Sequence, residues 1–336
     1  MGALPKNKTV GESPQHRKNE LLSGGSGVAA PRVGVVGAGT MGTSLAQHLA
    51  QQGFEVTLVD VDESALKRAL EAIETGLDQR LEKWAITEAE KRVILKRISP
   101  TLSLEAVASA ELVIEAVTED LEIKKELFRR LDAQSGAEQL LASNTSTLSI
   151  TELAAATRHP ERVLGLHFVN PVTEMPVVEI IRGLRTSEAT VQRARALMER
   201  AAKVPIEVYE SPGYVTTRLI MPLLNEAMYC VMEGVASPED IDTAMRLGYR
   251  FRLGPLEMAD RMGLDSVLVA MERLFREYGD VKFRPCPLLK KYVRAGNLGV
   301  KTGQGFFRYD EEGRRIHTAG GRPEGEPEPT GKGVQV

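Results

Sequence analysis

The chain has 336 residues, 42% of them hydrophobic, which is enough for two domains with cores of their own. Its 43 basic and 46 acidic residues leave a net charge of −3, which excludes nucleic-acid binding through bulk positive charge. Two cysteines, Cys230 and Cys286, exclude a disulfide framework and a zinc cluster, so no metal is expected and a reducing, cytoplasmic setting fits.

Residues 1–30 hold no aromatic residue and no apolar h-region, and are expected to be a disordered lead. Nowhere does an apolar run reach the length of about 18 residues that a membrane span needs. The first predicted strand is Val33 to Val36, β-branched and apolar as a buried parallel strand must be. Gly37-Ala38-Gly39-Thr40-Met41-Gly42 follows, a GxGxxG turn, and then Met41, Leu45 and Leu49 mark one face of a helix. A second strand, Glu55 to Val59, ends at Asp60. Gly37 permits the turn, Gly39 clears space for a pyrophosphate, and Gly42 lets helix and strand approach. The helix start offers free N–H groups to phosphate oxygens. Asp60, 18 residues after Gly42, stands where a carboxylate accepts from ribose hydroxyls and repels a 2′-phosphate, so NAD is expected over NADP.

Residues 62–97 carry two helical patterns, the second opened by the capping box Thr87-x-x-Glu90. Such a helical pair is unusual after a second strand and is suited to covering a bulky second ligand. Lys67 and Arg68 lie on its first helix and are candidates for ligand phosphates. "ELVIEAV" (111–117) predicts a buried strand. The next helix, after Asp120, is expected to face the core with Ile123, Leu127 and Leu131, leaving Lys124, Lys125, Arg129 and Arg130 elsewhere. "QLLASNTS" (139–146), "RVLGLHFVNP" and "MPVVEIIRG" supply three more strand candidates. Strands alternating with helices predict an α/β, Rossmann-type doubly wound, mostly parallel sheet over residues 31–210. Ligands of such sheets sit beyond the strands' carboxyl ends, where Asn144, Ser146 and His167 all fall. His167 is either a core-edge ring satisfied by backbone or a base aimed into that cleft, and its position favours the second.

From about Glu210 the pattern is helical, so residues 211–310 are expected to form an all-α domain for substrate binding and dimerisation. Tyr214 to Met232 is apolar on almost every face, with Pro222 set to kink it. Ser237-Pro238-Glu239-Asp240 reads as a helix start with Gly248 as its stop, and Val267, Met271, Leu274 and Tyr278 form another stripe. "KTGQGFF" follows no strand, and its glycines are expected to make a turn that packs Phe306 and Phe307 into the helical domain. Residues 311–336 are expected to be a disordered tail.

Taken together, "GAGTMG", "EAVTEDLEIKKELF", "SNTSTLSI", "GLHFVNPV", "SPGYVTTRL", "GVASPEDID", "LGPLEMAD" and "KTGQGFF" resemble the L-3-hydroxyacyl-CoA dehydrogenase family, 3-hydroxybutyryl-CoA dehydrogenases included, from about residue 32 to 309. The resemblance implies NAD-dependent oxidation of the 3-hydroxyl of an acyl-CoA, the reversible chemistry of fatty acid β-oxidation, and the nearly all-apolar helix from Tyr214 suggests a homodimer through the second domain. The resemblance also implies His167 as catalytic base paired with Glu179, Ser146 as a hydrogen-bonding partner to substrate, and Glu119, Lys124 and Asn144 near the nicotinamide half of the cofactor. Where many members have Asn before the Arg of "SPGF…R", this chain has Thr217, a hydroxyl of shorter reach. Without the resemblance, Glu119 and Lys124 would pass for a solvated helix face.

The chemistry asks for these groups. The hydroxyl proton must leave while hydride departs from C3, and imidazole, with an ordinary pKa of about 6.5, suits the proton. Glu179 follows His167 by 12 residues on the neighbouring strand candidate and would fix the imidazole tautomer. Two rival readings stand beside this one: an NAD-dependent dehydrogenase of a free hydroxy or sugar acid, and a dinucleotide-binding protein without catalysis.

Overall fold

The structure, a computed structural model, describes residues 29–316. The expectations of a disordered lead and tail otherwise fall outside the described residues, but Glu311 to Ile316, assigned to the tail, are ordered. Tyr309 bridges Arg315, and the Arg315 guanidinium stacks 3.4 Å from the Phe307 ring centroid.

Eight strands form one sheet: β1 (Arg32–Val36), β2 (Glu55–Val59), β3 (Ile98–Thr101), β4 (Leu112–Glu115), β5 (Leu140–Ser143), β6 (Val163–Phe168), β7 (Val177–Arg182) and β8 (Val204–Tyr209). Their spatial order is β3-β2-β1-β4-β5-β6-β7-β8. Pairing is parallel from β3 through β6, antiparallel between β6 and β7, and parallel again between β7 and β8. The strand order reverses beside β1, so the ligand crevice of such a sheet opens beyond the carboxyl ends of β1 and β4. β3 and β8 were not among the expected strands. β3 is four residues with Pro100 inside, tolerable at a sheet edge, and β8 alternates "VPIEVY" with half its residues exposed.

Alternation along each strand divides the core. Val33, Val35, Leu112, Ile114, Leu164 and Leu166 pack on one face, with α1 (Thr40–Gln51), α2 (Glu63–Glu82), α3 (Glu88–Lys96) and α6 (Glu188–Arg200). Val36, Val113, Leu141, Val163 and Ile181 pack on the other, with α4 (Leu121–Gln134) and α5 (Ile150–Ala155). α2 and α3 are the expected inserted pair, and Thr87 and Glu90 make the reciprocal capping box. α4 faces the core with Leu131 and, partly, Leu127, as their spacing marked, but not with Ile123. Its buried residues are Lys124, Phe128, Leu131 and Asp132, while Ile123 is 52% exposed. Two of those four are charged because each meets a buried partner: Asp132 accepts from Arg162 at 2.5 Å and Lys124 donates to Glu115 at 2.5 Å.

The chain divides into two compact units between Thr216 and Thr217. The second is helical: α7 (Thr216–Met232, Pro222 inside), α8 (Pro238–Tyr249), α9 (Pro255–Met262), α10 (Leu264–Tyr278) and α11 (Pro287–Arg294). Ser237 caps α8 as expected, but Gly248 does not stop it; Arg250 does, in the left-handed conformation. Val267, Met271 and Leu274 are buried along α10, and Phe306 and Phe307 join the same core. Asp260 organises that turn. It accepts from Phe306 N–H and Phe307 N–H, both at 2.9 Å, and from the Tyr309 hydroxyl at 3.0 Å, while a Cβ on Gly305 would strike its carboxylate. Among the described residues no helix is long and apolar enough to cross a membrane.

Candidate active site

The glycine turn has the geometry its sequence asked for. Gly37 has φ of 107°, and its N–H donates to Val59 O at 2.7 Å. A Cβ on Gly42 would lie 1.7 Å from Gly37 O, so helix and turn can approach only through glycine. A Cβ on Gly39 would meet nothing within 4 Å, which leaves that side open to a ligand. α1 starts at Thr40 and Met41 without a side-chain cap, leaving its first N–H groups for an anion. Asp60, at the end of β2, accepts from Ala38 N–H at 2.7 Å through one oxygen and from Asp62 N–H at 3.0 Å through the other. The carboxylate therefore braces the turn and remains partly exposed beside it. These residues fit a dinucleotide.

Sheet register brings the second group together. Antiparallel pairing sets His167 of β6 directly across from Glu179 of β7, and both side chains share the face that carries Val163 and Ile181. His167 Nδ1 lies 2.5 Å from Glu179 Oε2. The other donors to Glu179 come from the turn before α7: Val215 N–H at 2.9 Å, Thr216 N–H at 3.0 Å and Thr216 Oγ1 at 2.6 Å. Burial pushes the Glu179 carboxyl up, but hydrogen bonds from His167 and Thr216 outweigh it and hold it below the usual carboxylate range. An ionised carboxylate has no proton to give, so Nδ1 carries the hydrogen and Nε2 is left as the acceptor. Tyr214, at φ of 51° in that turn, lays its ring 5.6 Å from the imidazole and donates its hydroxyl to Leu148 O.

Along the same face, Glu115 ends β4 and Ser143 ends β5. Glu115 is fully buried and accepts from Val117 N–H at 2.7 Å and from Lys124 Nζ and Ser143 Oγ, both at 2.5 Å. Burial pushes its carboxyl up, against the pull of Lys124. Lys124 also reaches Glu119 at 3.1 Å, and Glu119 accepts from Thr145 Oγ1 at 2.5 Å. Lys124 is buried and the Glu119 side chain 34% exposed, so the pair is not a solvated helix face but joins a charged chain across two strand ends. Strand alternation continues past β5: Ser143 and Thr145 turn toward this chain, while Asn144 Oδ1 accepts from Phe168 N–H at 3.0 Å, one residue beyond His167. The half-buried Ser146 hydroxyl makes no hydrogen bond within the described residues. Thr217 is buried at the head of α7, and the hydroxyl on Glu179 belongs to its neighbour, Thr216.

Glu115, Tyr214 and Thr216 were not singled out from the sequence. Glu115 did leave a signal, an acid closing the apolar run "LVIE". Lys67 and Arg68 are exposed and engaged locally, with Glu71 at 4.0 Å and Asp62 at 3.5 Å. No group of three His, Cys, Asp or Glu among the described residues could hold a metal ion.

Residues 32–211 match the family model for the 3-hydroxyacyl-CoA dehydrogenase NAD binding domain, and residues 213–309 the model for the 3-hydroxyacyl-CoA dehydrogenase C-terminal domain. The chain is 48% identical over 278 residues to a probable 3-hydroxybutyryl-CoA dehydrogenase of Bacillus subtilis, spanning 83% of this chain and 97% of that protein. It is 43% identical to the 3-hydroxybutyryl-CoA dehydrogenase of Bradyrhizobium diazoefficiens, over 83% of this chain and 95% of the other. Among solved structures, the (S)-3-hydroxybutyryl-CoA dehydrogenase of Ralstonia eutropha superposes with a TM-score of 0.78 at 42% identity, over 84% of this chain and all of that one.

Proposed function

The chain belongs to the 3-hydroxyacyl-CoA dehydrogenase family of NAD-dependent oxidoreductases, and from that membership we propose that it oxidises the 3-hydroxyl of a short L-3-hydroxyacyl-CoA, reversibly, with His167 as base. One observation carries the assignment: an imidazole pinned through Nδ1 to a buried, ionised Glu179, with Nε2 left to accept.

NAD, when bound, supplies the hydride acceptor. Gly37, Gly39, Thr40, Met41 and Gly42 would hold its pyrophosphate and Asp60 its adenosine ribose, while Glu119, Lys124 and Asn144 would line the nicotinamide half. His167 Nε2 takes the hydroxyl proton, and Glu179 balances the imidazolium charge that results. Because four donors already hold Glu179 ionised, that balance needs no rearrangement. In the reverse direction the same Nε2–H returns the proton to the carbonyl oxygen. The free Ser146 hydroxyl donates to the substrate oxygen, and Thr217 offers a second hydroxyl to substrate. A homodimer through the second unit is part of the proposal, supported by Leu219, Leu247 and Tyr249, which are 70–74% exposed. So is a cytoplasmic location, in keeping with two free thiols.

The test is NADH oxidation with acetoacetyl-CoA against free acetoacetate, and NAD reduction with sugar acids, in the intact chain and in His167→Gln. Acetoacetyl-CoA should exceed the free acids by about 10²-fold or more in kcat/KM, since the CoA moiety contributes binding energy remote from the reacting carbon. His167→Gln should lose about 10²–10⁴-fold in kcat with NAD affinity intact. Preference for a free acid would overturn the substrate class; near-normal turnover in the variant would overturn the base.

A further inference from the structure

Among the described residues, two buried lysines serve the first unit in different ways. Lys124 lies between carboxylates. Lys203, 5% exposed, bonds to no carboxylate among the described residues. It ends the turn between α6 and β8, where Ala202 takes a φ of 54°. Its Nζ donates to the carbonyl of Val172 and, at 2.7 Å, to that of Met175. Both carbonyls lie in the loop from β6 to β7, the loop whose two flanking strands carry His167 and Glu179. The other side of the Lys203 turn is held by His48 of α1, whose Nε2–H donates to Ala201 O at 2.8 Å. A line of hydrogen bonds thus runs from the last turn of the dinucleotide-facing helix, through residues 201–203, into the loop between the proposed base and its acid.

The dyad faces one side of the sheet, and Lys203 grips the loop from the other, where Phe168, Val172 and Val178 pack. Burial without a countercharge is unfavourable for an ammonium and brings Lys203 down to about 8. An apolar side chain of similar length would avoid that penalty, yet it could not satisfy the two carbonyls. We propose that Lys203 is a positioning residue for the His167–Glu179 pair, fixing the spacing of the two strand ends by holding both carbonyls of the loop that joins them. The proposal rests on the reading of His167 and Glu179 given above.

The test is Lys203→Met in the full chain, read by kcat, NAD affinity and the downfield proton resonance of His167 Nδ1–H. A loosened dyad should lower kcat about 10- to 100-fold, because displacements near 1 Å carry that effect. NAD affinity should stay within about twofold, since the glycine turn is untouched, and the resonance should broaden or move upfield. Turnover within about twofold of normal, or a fall in turnover with an unchanged resonance, would overturn the proposal. Should the methionine variant not fold, Lys203→Gln decides, because its amide can still serve one carbonyl: an intermediate loss supports the proposal and no loss overturns it. If His167→Gln is inactive while Lys203→Met is not, only this proposal has failed; if His167→Gln keeps its turnover, the underlying reading has.

Discussion

His48 and His167 are buried to nearly the same degree, 5% and 6% exposed, and lie in the same unit, yet their surroundings give them different chemistry. His48 donates to a backbone carbonyl. Burial first, then the charges of Lys203 and Arg80, press its pKa to about 4 against the raising effect of that bond. It stays neutral and joins α1 to a turn. His167 donates to a carboxylate, so a negative charge, not a backbone carbonyl, stands behind its ring. Burial does not separate the structural histidine from the proposed base. The partner on the far nitrogen does.

Replacing that partner gives the largest expected effect. Glu179→Gln keeps the volume and can still accept from Val215 N–H and Thr216 N–H. Its amide can instead donate to Nδ1, which forces the imidazole into the tautomer that has lost its free Nε2. Turnover should fall about 10²–10⁴-fold, with NAD affinity, read by fluorescence titration, little changed. Normal turnover in this variant would break the contrast between the two rings.

Glu115→Gln sharpens the contrast from a third pair, a carboxylate whose partner is a lysine and not an imidazole. The glutamine can keep its one amide oxygen on Val117 N–H and Lys124 Nζ and turn its NH2 toward Ser143 Oγ, but it leaves Lys124 with Glu119 as its remaining carboxylate. Stability should drop by about 1–3 kcal/mol in a urea titration, and KM for NAD should rise more than kcat falls. A fall confined to kcat would give Glu115 a part in the proton chemistry that a fixed ammonium partner does not predict. Asp60 comes next. Its partners are backbone amides, the mark of a structural acid, although its position also suits a ribose. Asp60→Ala should cut the NAD-over-NADP preference about tenfold, a loss of roughly 1.4 kcal/mol in discrimination. An unchanged ratio would leave Asp60 as a brace for Ala38 and nothing more.

How much of this was legible in the sequence depends on range. The glycine turn, the capping box at Thr87 and the α10 stripe are local patterns, and they appear where spacing placed them. The pairing of His167 with Glu179 was suggested by a separation of twelve positions and needed only an antiparallel register to become geometry. Lys124 was misjudged because leucine spacing says which face is apolar, not which charged side chain meets a buried carboxylate nine residues earlier. Thr216, Tyr214 and Lys203 act across 37, 47 and 31 positions of chain, and no periodicity carries information over that distance. Gly248 failed as a helix stop for a simpler reason: glycine permits the left-handed turn, but Arg250 adopts it.

The smallest effect on activity is expected at His48, and it completes the comparison through pH. The folded protein holds this ring at about 4, whereas in the unfolded chain it titrates near the ordinary value of about 6.5. Between those values the unfolded state binds the extra proton. Stability from a neutral His48 is therefore fully present above about 6.5 and is lost progressively as pH falls toward 4, by up to about 3 kcal/mol. His48→Gln can keep a donor for Ala201 and has nothing to protonate. Its turnover should stay within about twofold of normal, and its urea midpoint should decline less steeply between pH 6.5 and 4 than that of the unaltered chain. Parallel declines in the two proteins would mean that burial does not hold His48 neutral, and the contrast with His167 would lose its first half.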